Sequence, residues 1–548
     1  MELPRPTPLR IALTGISVML AAVAYLLIGG TRGAVIAASA IALSAFLVWV
    51  YPAIKAGLGG MAVKLNLVYA VLHMWAVSTG RPPPGKVFRS VGDPRLYGEY
   101  SKVFKKIYIL GKEWGYSYPD AISYTVKRVY DKVFREFLMR LATVIKLGED
   151  LQAFLAAEYK SLMNEYSAQY ERAINSLRVI LGVYTAAMAA MVFSIANFML
   201  LAFFFGGSPW FIPVAYLGAF GIALALSLVV LKMLPDDLFE YKEERNPEAR
   251  RIQLLALASL LSASVVSALY LYREGVSYET SGVPLIIAGA FLIGPGIKSL
   301  LYERKIDEVD VFFPVFIRSI GTHLSVIPSL ASAVKNLLPV ELGRLKKHIV
   351  KMYARLQNDL NPEVCWRMFA YETGSEIVRR SVKVLSEALE LGGDPGKVGE
   401  ILSDHNNQLI TLRRLRQQVA GNFMITTIVM HASMVMIAVF IAKLLEYFTS
   451  LLSAYKVGIP PELADFIVIG SVDTKMLMTV TVIFSILLTV VNAYMIARVR
   501  PRSILAFWYF LAILAAITGV TLITGSKLMD VLLGKVIGIE GFTGIAPG

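Results

Sequence analysis

Nine stretches of this 548-residue chain contain no Asp, Glu, Lys or Arg: Ile11–Gly29, Gly33–Tyr51, Val179–Phe205, Trp210–Leu231, Ile252–Tyr272, Val283–Ile297, Asn422–Ala442, Met476–Ala497 and Ser503–Thr524. Most are long enough to cross a bilayer as a helix, which takes roughly 20 residues. The chain is 56% hydrophobic and only 17% charged, too apolar for an ordinary soluble protein. These runs predict an all-α integral membrane protein with about nine transmembrane helices. The first resembles a signal peptide but lacks a small-residue cleavage site, and a second span follows almost at once, so it reads as a retained helix. The sixth is the weakest, being short and interrupted by Gly294-Pro295-Gly296.

The net charge of +14 is unevenly placed along the chain. With the N-terminus inside and sides alternating at each span, the inner segments are 1–10, 52–178, 232–251, 298–420 and 498–502. They hold 2, 19, 5, 18 and 3 Lys plus Arg, 47 of the 54 in the chain. Basic residues concentrate on the cytoplasmic side of membrane proteins, so this orientation is expected, with the C-terminus outside. The plan is then spans one and two (1–51), a cytoplasmic helical domain (52–178), spans three and four (179–231), a loop (232–251), spans five and six (252–297), a second cytoplasmic helical domain (298–420), spans seven to nine (421–524, with an outer loop at 443–475) and an outer tail (525–548).

That plan repeats itself. The first polar domain contains KLGEDL and the second ELGGDP, so that Gly148 and Gly392 are 244 apart, as are Asp150 and Asp394 and also Arg172 and Arg416. Pro119 and Pro362 are 243 apart. The register predicts duplicated helical bundles. In the second, Phe313, Phe316, Ile317, Ile320 and Leu324 share a face, as do Ile377, Val384, Leu385, Ala388 and Leu391. In the first, Val126, Val129, Tyr130, Val133, Phe137 and Leu141 are expected on one face.

The stretch LELGGDPGKVGEIL, Leu389 to Leu402, has a phosphate-loop look. A phosphate loop needs Gly, four residues, Gly-Lys and then a hydroxyl residue. Counting back from Gly396-Lys397 puts Leu391 where the first glycine belongs, and Val398 stands at the hydroxyl position. A helix joint fits better. Gly392 suits the left-handed end of a helix, Asp394 the cap of the next, and Pro395 its first turn. The helix that follows has no Gly or Pro from Glu400 to about Lys443 except Gly421. It is expected to pass from the second domain into the membrane as one rod, and Gly148 and Asp150 mark the matching joint in the first.

Metal and redox chemistry find no footing. Cys365 is the single cysteine, and His73, His323, His348, His405 and His431 show no ligand spacing. His431 inside a span reads as a helix–helix hydrogen-bonding group. Asp404-His405 is an acid–base pair by composition but has no evident nucleophile beside it.

Two helical domains of the VFFPVFIRSIGTHLSVIPSLASAV type, closing with a SEALELGGDPGKVGEIL-type segment, resemble the type II secretion system F domain. The duplicated plan is similar to the archaeal branch of that family, the platform proteins of the archaellum and of archaeal type IV pili. The resemblance is clearest over Asp307–Met436 and weaker over Lys55–Val192. It implies a non-catalytic platform without cofactors, in contact with a hexameric secretion ATPase, pilin- or archaellin-like subunits and the bilayer. A homodimer is left open. A transporter is the main rival, but the nine spans carry no ionisable carboxylate or cation of the kind that marks mid-membrane sites. Candidate ATPase contacts are the basic residues Lys105 and Lys106, Arg344, Lys346 and Lys347, and Arg413, Arg414 and Arg416, with headgroup anchoring the competing reading for the last three. No nucleic-acid motif is present.

Overall fold

A computed structural model describes residues 63–204, 211–235, 239, 247–275, 277–456 and 474–536. The first two expected spans, most of the expected outer loop and half of the C-terminal tail lie outside these residues. Among the described residues the regular elements are helical and no β-strand occurs.

The first bundle begins with α1 (Leu65–Ser78), α2 (Pro84–Ser90), α3 (Pro94–Tyr97), α4 (Glu99–Lys112), α5 (Tyr118–Val126) and α6 (Lys132–Leu147). It then enters α7 (Leu151–Phe204), which runs on into an apolar region. Next come α8 (Phe211–Met233), α9 (Pro247–Glu274) and α10 (Tyr278–Val326). The lower end of α10 opens the second bundle, followed by α11 (Leu330–Leu337), α12 (Leu345–Gln357), α13 (Pro362–Thr373), α14 (Glu376–Glu390) and the long α15 (Pro395–Lys456). The helices α16 (Thr474–Val499) and α17 (Phe507–Val536) close the chain.

Apart from α3, which has no counterpart in the second, the two bundles share one helix order. Ser117 and Asn361 cap α5 and α13, and Asp131 and Ser375 cap α6 and α14. Asp150 and Asp394 accept from the first backbone N–H groups of α7 and α15, at 2.9 Å from Gln152 and 3.0 Å from Gly396. Gly148 and Gly392 are left-handed, with φ of 69° and 80°. Every one of these pairs is 244 residues apart, and the caps hold because each side-chain oxygen satisfies an N–H that the helix cannot. Residues 389–402 are a helix stop and a helix start, with no strand. The rods that follow have 54 and 62 residues.

Each bundle packs around aromatic rings. Phe104 and Phe134 meet edge to face at 5.2 Å in the first, and Phe316, Trp366 and Phe369 cluster in the second. Fully burying a Phe is worth about 1.5–3 kcal/mol. One expected core position fails. Tyr130 is 99% exposed, because α5 ends at Val126 and α6 starts afresh at Lys132, so the helical phase is reset between them.

Seven helices among the described residues are long and apolar enough to cross a membrane. They carry the expected third to ninth spans. The sixth is not interrupted: α10 continues through Pro284, Pro295 and Pro314 for 49 residues. It lies so close to α17 that a Cβ on Gly282 would sit 2.6 Å from the carbonyl oxygen of Gly519, and Gly289 and Gly296 repeat the close approach at seven-residue spacing. Neighbouring helices of this kind support a proline that would break an isolated helix.

Candidate functional site

The chemistry-bearing side chains gather at two places: the seam between the bundles, and the base where the rods meet the membrane-crossing helices.

At the seam, α1 of the first bundle lies against α14 and the joint of the second. Gly80 approaches the backbone of Leu391, Gly392 and Gly393 so closely that a Cβ would lie 2.6 Å from the Gly392 carbonyl carbon. Thr79 Oγ1 accepts from the Asp394 N–H at 3.2 Å. His73, fully buried, sits 2.7 Å from the Tyr97 hydroxyl and 3.1 Å from Glu387 Oε2. Burial alone would raise the Glu387 pKa, but His73 and Lys383, the latter at 2.5 Å, bring it below the usual carboxylate value. Arg380 donates to Asn66 at 2.9 Å and to Glu376 at 2.8 Å while lying over the Tyr69 ring.

The pair Asp404-His405 divides between the two environments. Asp404 turns outward to Arg318 at 2.6 Å. His405 turns inward, 2.9 Å from the Tyr159 hydroxyl and edge-on to Tyr69. Burial, with help from the Arg380 charge, lowers its pKa to about 3, so it stays neutral. Neither residue has a nucleophile beside it, and the pair builds structure.

At the base, Arg413 pairs with buried Asp310 at 2.5 Å, and Ser375 donates to the same carboxylate. Arg416 donates to the carbonyl oxygens of Val499, Pro235 and Arg498 at 3.0, 2.9 and 3.1 Å. It thereby ties α15 to the segment after α8 and to the end of α16. Arg500 reaches Glu303 of α10 at 2.8 Å, and Arg502 pairs with Asp307. Of the eight basic residues expected on a contact surface, Arg413 and Arg416 are therefore buried and occupied within the chain. The reason is phase: 413 and 416 fall on the face that also buries Leu409, Ile410, Val419 and Ala420, whereas Arg414 points away and is exposed. That helical period was visible in the sequence, but the partners 82 to 181 residues away were not. Lys105, Arg344 and Lys347 are exposed, and Lys106 and Lys346 half-buried.

Higher up, four helices share a polar network. Tyr184 of α7 donates to Asn492 of α16 at 2.7 Å, Asn492 lies 3.1 Å from His431 Nδ1 of α15, and His431 Nε2 lies 2.8 Å from Thr518 of α17. Asn492 can donate to Nδ1, which leaves Nε2 to donate to Thr518. Both ring nitrogens and both amide atoms are thus engaged within the chain, as expected for side chains that hold helices together in an apolar setting.

The family model described as Type II secretion system (T2SS), protein F, matches residues 70–197. The match falls on the first bundle and α7, the half in which the sequence resemblance was weaker. The chain is 27% identical over 336 residues to a Flagella accessory protein J of Methanocaldococcus jannaschii and 24% identical over 347 residues to one of Methanococcus voltae, covering 60% of each chain in both cases. An uncharacterized protein of Methanocaldococcus jannaschii is 20% identical over 411 residues, 70% of this chain and 68% of that one. This chain thus spans about 60% of the length of the first two relatives. No solved structure matches. Residues 70–197 are thus similar to the type II secretion system F domain, and the chain is a multi-pass membrane protein similar over 60% of its length to the Flagella accessory proteins J.

Proposed function

We propose that this F-domain protein is the membrane platform of an archaeal type IV filament, archaellum or pilus, and couples a cytoplasmic hexameric ATPase to the assembly of filament subunits. The observation that carries the reading is the pair of rods. Each bundle ends in a left-handed glycine and a capping aspartate, and then continues as one helix into the membrane region. A displacement of either bundle would move a span. The 244-residue register supports a duplication, which gives a two-lobed base suited to resting on a ring-shaped motor. The 47-to-7 division of basic residues supports bundles and N-terminus inside, C-terminus outside, and nine spans. The chain itself is taken to be non-catalytic.

The coupling is tested in cells that lack this chain and make no filament. The wild-type protein should restore filaments. Thr411→Pro, placed on the exposed side of α15 between bundle and span, removes a helix bond and clashes with the preceding turn. It should accumulate in the membrane yet fail to restore them. Full rescue would remove the mechanical reading. Orientation is tested by single cysteines at Asp394 or Asp465 in a Cys365→Ala background. An impermeant reagent on intact cells should reach 465 and not 394, and the reverse would overturn the topology.

A further inference from the structure

We propose that the α4–α5 hairpin of the first bundle is a docking surface for an acidic protein partner, and that the equivalent α12–α13 hairpin of the second bundle is not. The hairpin presents Trp114 (69% exposed) and Tyr116 (47%) at its turn, Tyr124 (48%) along α5 and Tyr130 (99%) just beyond it. Lys106 of α4 lies 5.4 Å from the centre of the Tyr124 ring, and Arg128 lies 5.9 Å from it. The Tyr100 hydroxyl donates to Asp131 at 2.7 Å, which holds the far end of the hairpin in place. Trp, Tyr and Arg are the residue types that dominate the energetics of protein interfaces, and large aromatic side chains left in water at this density mark a surface that is covered at some stage of function.

The charges set the sign of the partner. Lys105, Lys106, Lys112, Lys127 and Arg128 have no carboxylate partner among the described residues. On the second hairpin four of the six cations are spent within the chain: Arg344 on Glu308 at 2.6 Å, Lys346 on Glu341 at 3.6 Å, and Lys351 and Arg355 on Glu372. The positions 244 residues beyond Trp114, Tyr116, Tyr124 and Tyr130 are Asn358, Leu360, Met368 and Gly374, none of them aromatic. Met368, 40% exposed, also lines a cleft of about 570 Å³ against Asp93, Arg95 and Leu96 of the first bundle, so one side of that hairpin lies beside a neighbour. A nucleic acid fits the first hairpin less well than a protein. The Tyr124 ring already carries two cations where a base would stack.

The probe is the filament ATPase encoded by the same genome, a choice that rests on the platform reading. The full chain in zwitterionic nanodiscs is titrated with the purified ATPase at low salt. Lys106→Glu with Arg128→Glu should weaken binding at least about tenfold, through like-charge juxtaposition, and the loss should shrink above about 0.15 M salt. Tyr130→Ser should weaken it several-fold, and at a position so exposed it leaves the fold intact. Lys346→Glu with Lys347→Glu should stay within about twofold of wild type. If the wild type binds and the first-hairpin variants bind equally well, or the second-hairpin variants lose as much, the docking proposal fails while the platform reading stands. If the wild type binds no ATPase, both fail. Titration with single-stranded RNA and with phosphatidylglycerol vesicles completes the test: binding there that depends on Lys106 and Arg128, with ATPase binding unaffected, overturns the proposal.

Discussion

The two bundles share a helix order, α3 apart, but differ in attachment. In the second, Asp310 and Arg413 form a buried ion pair, and Arg416 holds three backbone carbonyls of the membrane-side turns. The positions 244 residues earlier are Asn66, Gln169 and Arg172. Asn66 accepts from Arg380 of the other bundle, Gln169 accepts from the Val63 N–H, and Arg172 is exposed beside Glu165. The second bundle is therefore latched to the membrane-side segments by buried charge, whereas the equivalent positions of the first carry neutral amides bonded within and between the bundles and an exposed arginine. A shared backbone plan leaves attachment to side chains, because caps and left-handed glycines define where helices turn and say nothing about what their faces meet.

The largest expected difference is at the buried pair. Asp310→Ala strands the Arg413 charge and should cost about 3–5 kcal/mol, read as a fall in the unfolding midpoint in detergent. Asn66→Ala at the equivalent position removes one partner of Arg380, which keeps Glu376, and should cost only about 1 kcal/mol. Equal losses would break the contrast. Arg416→Ala comes next, at about 2–3 kcal/mol for the carbonyls it leaves unpaired, whereas Arg172→Ala should fall within about 0.5 kcal/mol of wild type.

The seam supplies a pH test. His405 is neutral when folded, with its pKa lowered to about 3, against about 6.5 when unfolded. The unfolded chain then binds the extra proton, so this contribution is complete above pH 6.5 and is lost as pH falls towards 3. By pH 5 the loss from this residue is roughly 2 kcal/mol, at about 1.4 kcal/mol per unit. His405→Gln should flatten the stability profile between pH 6.5 and 5, and an unchanged slope would show that other groups carry it. Modest and matching effects are expected at the joints. Gly148→Ala and Gly392→Ala each place a Cβ at positive φ with open space around it, costing about 1–2 kcal/mol from backbone strain alone. Matching losses would sharpen the register between the bundles, and a large loss at only one would blur it.

Much of this was legible from residue order. Uncharged runs of span length, Gly-x-Asp joints at one spacing and long stretches free of Gly and Pro are local signals, because bilayer thickness, left-handed φ and helix propensity act on neighbours in the chain. They foretold seven of the spans among the described residues, both joints and both rods. What needed the tertiary structure was the fate of individual polar groups. Arg413, Arg414 and Arg416 look alike in sequence, yet two are buried and one is exposed, because the carboxylate and carbonyls that neutralise them come from distant segments. Tyr130 looked like core until the break between α5 and α6 reset the helical phase. Gly294-Pro295-Gly296 looked like an interruption, and the packing of α17 along α10 carries the helix straight through it. Local rules decide where a chain turns; which charges it hides depends on what the fold brings beside them.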